Sequence, residues 1–218
     1  MPSFTELAAA PDPPLDALAL ALAAEFRDVD TAEAMAALDD LGAELADAAA
    51  RRPKTPLGEA QACAEVLGAT HRFAGDAEQY DHPDNSMLDL VLARRRGLPI
   101  LLSVVYVEVA RRATIPLAGV GLPGHFVVGH FGVAPPLVLD PFAGGGIIED
   151  LARPELLRPW TSQEIALRML NNLVPAYQRR ADLGAAIHGA ELRLALPVPP
   201  ALRANLETEL LALRARLN

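Results

Sequence analysis

Gly97-Leu98-Pro99-Ile100-Leu101-Leu102-Ser103-Val104-Val105-Tyr106-Val107-Glu108-Val109 is followed by Pro123-Gly124-His125-Phe126 and then by Leu139-Asp140-Pro141-Phe142. From Ile100 to Val109 the first stretch is apolar on every face apart from Ser103 and Glu108, the pattern of a helix buried all round. Pro99 suits the first helical position, where its missing N–H goes unneeded. Leu117 to Leu122, Phe126 to Phe131 and Leu137 to Leu139 are short runs of branched or small residues bounded by Gly or Pro. They read as strands of a small antiparallel sheet packed on the helix. The order is helix, histidine strand, acid strand. An enzyme whose nucleophile opens the helix, with the histidine activating it and the acid orienting the histidine, is laid out in this way. The histidine and the acid are present; no cysteine stands in the helix.

Working outward, helical spacing dominates both ends of the chain. Leu15 to Phe26 and Thr31 to Ala49 carry apolar residues at helical intervals, with Asp30 or Thr31 available as an N-cap. Arg52-Pro53-Lys54-Thr55-Pro56 breaks the pattern, and a third helix is expected from Leu57 to about Phe73. Tyr80 to Ser86 is turn-rich. Ser86 with Asp89 resembles a capping box, so a short helix should begin there and end near Gly97, a suitable C′ residue. After the Gly144-Gly145-Gly146 turn, helices are expected over Ser162 to about Arg180, Ala185 to Leu196 and Ala201 to Leu217. The expected fold class is α+β: a central buried helix packed on a small antiparallel sheet, with a helical N-terminal layer and a helical C-terminal tail. In segments, 1–79 is the layer, 80–160 the core and 161–218 the tail, together one compact unit.

Composition narrows the function. A net charge of -9 over 218 residues argues against sequence-independent nucleic-acid binding and against an anionic membrane surface, because both need clustered cations. The densest basic run, Arg94-Arg95-Arg96, reads as a solvated helix end. No segment approaches the roughly 18 apolar residues of a membrane span. The N-terminus, with Asp12 and Asp16, lacks the basic region of a signal peptide. One cysteine excludes an internal disulfide framework and fits a reducing, cytoplasmic setting. That residue, Cys63, lies within the third helix among small and aliphatic neighbours and reads as a buried core thiol.

Tyr80, Asn85-Ser86, Arg95, Gly97-Leu98-Pro99-Ile100, Ser103, Tyr106, Pro123-Gly124-His125-Phe126 and Leu139-Asp140-Pro141-Phe142 together resemble the SirB-type branch of the transglutaminase-like superfamily. Met169-Leu170-Asn171-Asn172-Leu173 through Tyr177, Asp182 and Leu194 is similar to that branch's tetratricopeptide-like C-terminal helices. The resemblance implies a papain-like core, a helix on an antiparallel sheet. It also assigns the superfamily's catalytic histidine to His125 and its acid to Asp140. Registering Ala113-Thr114-Ile115-Pro116 on the superfamily's usual Ala-Leu-Gly-Ile-Pro brings the nucleophilic cysteine onto Pro99. Ser103 is the nearest hydroxyl, one turn further on and about 6 Å along the axis.

The candidate catalytic set is therefore Ser103, His125 and Asp140, and the candidate cleft residues are Tyr80, Asn85, Pro99 and Tyr106. A helix N-terminus lowers a pKa by no more than roughly 1.5, which helps a thiol but leaves a serine hydroxyl un-ionised. Ser103 would need His125 within hydrogen-bond reach as a general base. If it bonds back to the Pro99 carbonyl instead, it is a satisfied core group. His125 and His130 are an odd number of residues apart on one strand and so face opposite ways, against a shared metal. No metal or cofactor is implied. Three functions follow: a degenerate binding or adaptor module for a protein or peptide partner, a serine-dependent hydrolase or acyl-transfer enzyme, and a helical interaction scaffold.

Overall fold

Ser3 starts the first helix with a capping box: its hydroxyl accepts from the Glu6 N–H while the Glu6 carboxylate accepts from the Ser3 N–H. The helix it starts, α1 (Phe4–Ala9), has no counterpart among the sequence-based expectations. The computed structural model describes residues 2–149, 151 and 153–216. Next come α2 (Leu15–Ala24) and α3 (Thr31–Ala50), the latter capped by Asp30, whose carboxylate accepts from the Glu33 N–H at 2.9 Å. Thr55 caps α4 (Pro56–Cys63), which passes into a π-helical turn over Ala64–Thr70, and a short strand β1 (Ala74–Gly75) follows.

The helix expected from Ser86 is displaced. Ser86 closes a 3₁₀ turn over Pro83–Ser86, Met87 stands at the N-cap without a side-chain bond, and α5 spans Leu88–Arg94. The capping box with Asp89 does not form. The helix ends on Arg95 in the left-handed region (φ 58°) rather than near Gly97. Arg95 lies over the Phe73 ring at 4.7 Å, a cation–π contact that offsets the backbone cost. Gly97 belongs instead to β2 (Arg96–Gly97), paired in parallel with β1. A side chain at Gly97 would strike Val91.

Pro99 opens α6 (Pro99–Arg112), and from Pro99 to Ala110 all but Val107 are buried. The helix packs on β3 (Leu117–Leu122) and β4 (His125–His130), which with β5 (Leu137–Asp140) and β6 (Gly146–Ile148) form an antiparallel meander in that order. Leu122 pairs with His125 across a turn in which Pro123 precedes Gly124 at φ 73°, the type II pattern that needs glycine second. On the face toward α6 lie Phe126, Val128 and Leu139; Val120, Val127 and Val138 form a second cluster on the other face. His130 is buried and bonded to Glu59 of α4 at 2.7 Å.

The chain closes with α7 (Ser162–Arg179), α8 (Leu183–Ala195) and α9 (Pro200–Ala215); Leu217, the expected end of the last helix, lies outside the described residues. One apolar cluster joins Leu18 and Leu38 of the N-terminal helices to Leu101 and Val105 of α6 and to Met169 and Leu170 of α7. The fold is α+β, with a central buried helix on a small antiparallel sheet and helical layers from both termini.

At the far end of α6 a charged knot replaces apolar packing. Asp16 and Glu108 are buried, and Arg112 reaches both, at 2.8 Å and 2.9 Å, as well as Asp39 at 2.6 Å. Arg111 adds bonds to Glu108 and Asp16. Burial pushes both carboxyls upward. At Asp16 the bonds from Arg112 and Glu108 outweigh it and hold the pKa below the ordinary value. At Glu108 burial and the neighbouring Asp16 charge prevail and leave it raised.

Candidate functional site

Asp140 ends β5 and caps the 3₁₀ turn over Pro141–Ala143, its Oδ1 accepting from the Phe142 N–H at 2.9 Å. That bond aims the second oxygen at β4, where His125 Nε2 lies 3.0 Å from Oδ2. A carboxylate only accepts, so Nε2 is the donor in this bond. The side chains are 31% and 20% exposed, which leaves the imidazole open to solvent. The Phe142 ring stands edge-to-face with His125, centroids 6.4 Å apart, and with Tyr80, centroids 6.0 Å apart. Tyr80, Phe142, His125 and Asp140 therefore form one strip. Phe142 stood in the motif without being named as a site residue; its position two residues after the acid, where its N–H meets the carboxylate, was the available signal.

The third member of the set lies elsewhere. Ser103 is 1% exposed and its hydroxyl donates to the Pro99 carbonyl at 2.8 Å, the helix back-bond of a satisfied core serine. Pro99 is buried at the first position of α6. Of Ser103, His125 and Asp140, the fold brings the last two together.

The cleft residues divide in the same way. Tyr80 is exposed and lines a cavity of about 150 Å³ with Asp81, His82, Ser86, Leu98 and Arg179, beside the start of α6. Asn85 is fully buried rather than lining that cavity: its amide donates to the Gln79 carbonyl at 2.7 Å and to Asp76 at 3.2 Å, fastening the 76–85 loop. Tyr106 is buried under Gly145, whose φ of 82° lets the loop pass over the phenol. Its hydroxyl has no hydrogen-bond partner among the described residues, and burial, with the charges of Cys63 and Asp140, raises its pKa. Such a group costs about 1 to 3 kcal/mol. Tyr106→Phe is therefore expected to leave stability unchanged or raise it by about 1 kcal/mol in urea titration. A loss of that size would show that the hydroxyl is bonded.

Cys63 is buried at the end of α4, and burial, reinforced by Glu59, pushes its thiol up to about 12. A thiol so placed is no nucleophile at neutral pH. No group of three or more His, Cys, Asp or Glu side chains suited to a metal ion occurs among the described residues. Nor is any helix among them long and apolar enough to cross a membrane.

A buried helix on an antiparallel sheet, with a histidine and an acid paired on neighbouring strands, is the arrangement of the transglutaminase-like superfamily, and the model of that superfamily matches residues 32–171. The chain belongs to it. It is similar to two UPF0162 proteins of Xylella fastidiosa, from strains 9a5c and Temecula1, at 36% and 38% identity over 151 residues. Each match covers 60% of this chain and 54% of the relative, so the chain spans about half the length of these curated relatives. A UPF0162 protein of Pseudomonas aeruginosa is 45% identical over 56 residues, covering 26% of this chain and 21% of that one. No solved structure matches.

Proposed function

We propose that this protein is a degenerate transglutaminase-like module of the SirB type that binds a protein or peptide partner instead of transforming a substrate. The observation that carries this reading is Pro99 at the position the superfamily pattern gives to the nucleophile, with the Ser103 hydroxyl turned back onto the Pro99 carbonyl inside the core. Neither position offers an atom to attack a carbonyl carbon. The strip of exposed Tyr80 and half-buried Phe142 and His125, ending at the cavity beside Tyr80, supports binding: aromatic rings and an imidazole suit a peptide main chain and its side chains. In this proposal the helical layer (1–79), the core (80–160) and a tetratricopeptide-like tail (161–218) act as one unit. The protein works in the cytoplasm without a cofactor.

Activity-based labelling tests the reading. A fluorophosphonate and iodoacetamide are expected to leave the native protein unmodified, while urea-unfolded protein is alkylated at Cys63. Fluorophosphonate labelling of the native protein that disappears in Ser103→Ala would establish a serine-dependent hydrolase or acyl-transfer enzyme and end the binding proposal.

A further inference from the structure

Helices α7, α8 and α9 border a cavity of about 570 Å³ that opens to solvent, within the range of small-molecule sites, and none of the candidate-site residues lines it. Most of its wall is apolar, with Val174 and Pro175 on α7 and Leu202, Leu206 and Leu213 on α9. Into this wall α8 places Arg193, only 5% exposed. Its Nη1 donates to Glu209 at 2.9 Å, but the Glu209 side chain is 59% exposed. The Arg193 Nε is buried and has no hydrogen-bond partner among the described residues.

A buried guanidinium held by one half-open carboxylate is under-compensated, since a buried donor without an acceptor carries its full desolvation penalty. Nε is shut away inside the protein, and Nη2 is the nitrogen of the planar fork that has no acceptor among the described residues, so it is the one left to donate a charge-assisted bond to a carboxylate in the cavity. Arg193, Arg216 and Glu209 give the lining a net charge of one positive unit, which a monoanion balances. A dianion would overshoot and face Glu209. We infer that this cavity binds a monoanionic organic acid with an apolar body, its carboxylate on Nη2 of Arg193 and its chain along Leu202 and Leu206.

The test is calorimetric titration of the full chain with decanoate at neutral pH, compared with decanol. Decanoate is expected to bind saturably at one site, and decanol to bind at least about tenfold more weakly, the effect of one charge-assisted pair. Arg193→Met is expected to lose affinity by about the same factor while keeping its circular dichroism spectrum. Glu209→Gln, which removes the competing carboxylate, strengthens decanoate binding; unchanged or weaker binding there counts against the site. Should Arg193→Met fail to fold, Leu206→Trp decides, because an indole there occupies the seat of the ligand's chain along Leu202 and Leu206 and abolishes binding. Absence of saturable binding, equal binding of decanol, or undiminished binding by Arg193→Met or Leu206→Trp overturns the inference.

Discussion

Arg112→Ala is expected to destabilise the protein by about 3 to 5 kcal/mol, measured by urea unfolding. The reason is asymmetry. Asp16 and Glu108 are both buried, and Arg112 bonds each of them while also reaching Asp39. Removing the arginine strands two carboxylates in the interior with only the largely exposed Arg111 beside them. Its stem also packs where α3 carries Gly42, so the truncation opens space as well.

The two carboxyls respond to pH in opposite senses. Asp16 has a depressed folded pKa, so its contribution is present above its unfolded value and is lost as pH falls through the folded one. Glu108 has a raised folded pKa, so its contribution is full below its unfolded value and is lost as pH rises through the folded one. Glu108→Gln, which mimics the protonated form, should flatten the decline in stability between mildly acidic and neutral pH. A steeper decline in that variant would contradict the assignment.

A chain ending at residue 160 is expected to lose its cooperative unfolding transition. Ile165, Met169, Leu170 and Leu173 of α7 lie in the same apolar cluster as Leu101 and Val105 of α6, each at most 2% exposed. Burying side chains of this kind is worth about 1.5 to 3 kcal/mol apiece, so four of them amount to roughly 6 to 12 kcal/mol. That rivals the whole stability of an ordinary domain, about 5 to 15 kcal/mol. A truncated protein that keeps a sharp urea transition would show that residues 1–160 fold independently and that the tail only docks on them.

Local rules made the central helix and the sheet legible. Ten residues, apolar but for Ser103, Glu108 and the hydroxyl of Tyr106, leave little choice but a buried helix, and strand runs cut by Pro and Gly announce a small antiparallel sheet. Asp30 stood as a cap before a strongly periodic stretch and serves as one. Where the expectations failed, distant partners intervened. Ser86 and Asp89 had the spacing of a capping box, yet the 3₁₀ turn and the anchoring of Asn85 to Gln79 and Asp76 hold Ser86 outside the helix. Gly97 had the character of a helix stop, yet Arg95 ends the helix because Phe73, distant in sequence, receives its guanidinium.

For the site, chain order singled out His125 and Asp140, and the resemblance to the superfamily pattern registered Pro99 on its nucleophile position. Whether Ser103 could take over was a question of orientation, and the closed helix face answers it by turning the hydroxyl onto the Pro99 carbonyl. Charge networks lay beyond reading along the chain: Asp16 and Arg112 are separated by 96 residues and meet only when α2 packs beside α6. The cavity around Arg193 has the same origin. Periodicity determines which faces are apolar and spacing determines which chemistry is possible, but which polar atoms find partners, and which are left without one, depends on how the helices close over one another.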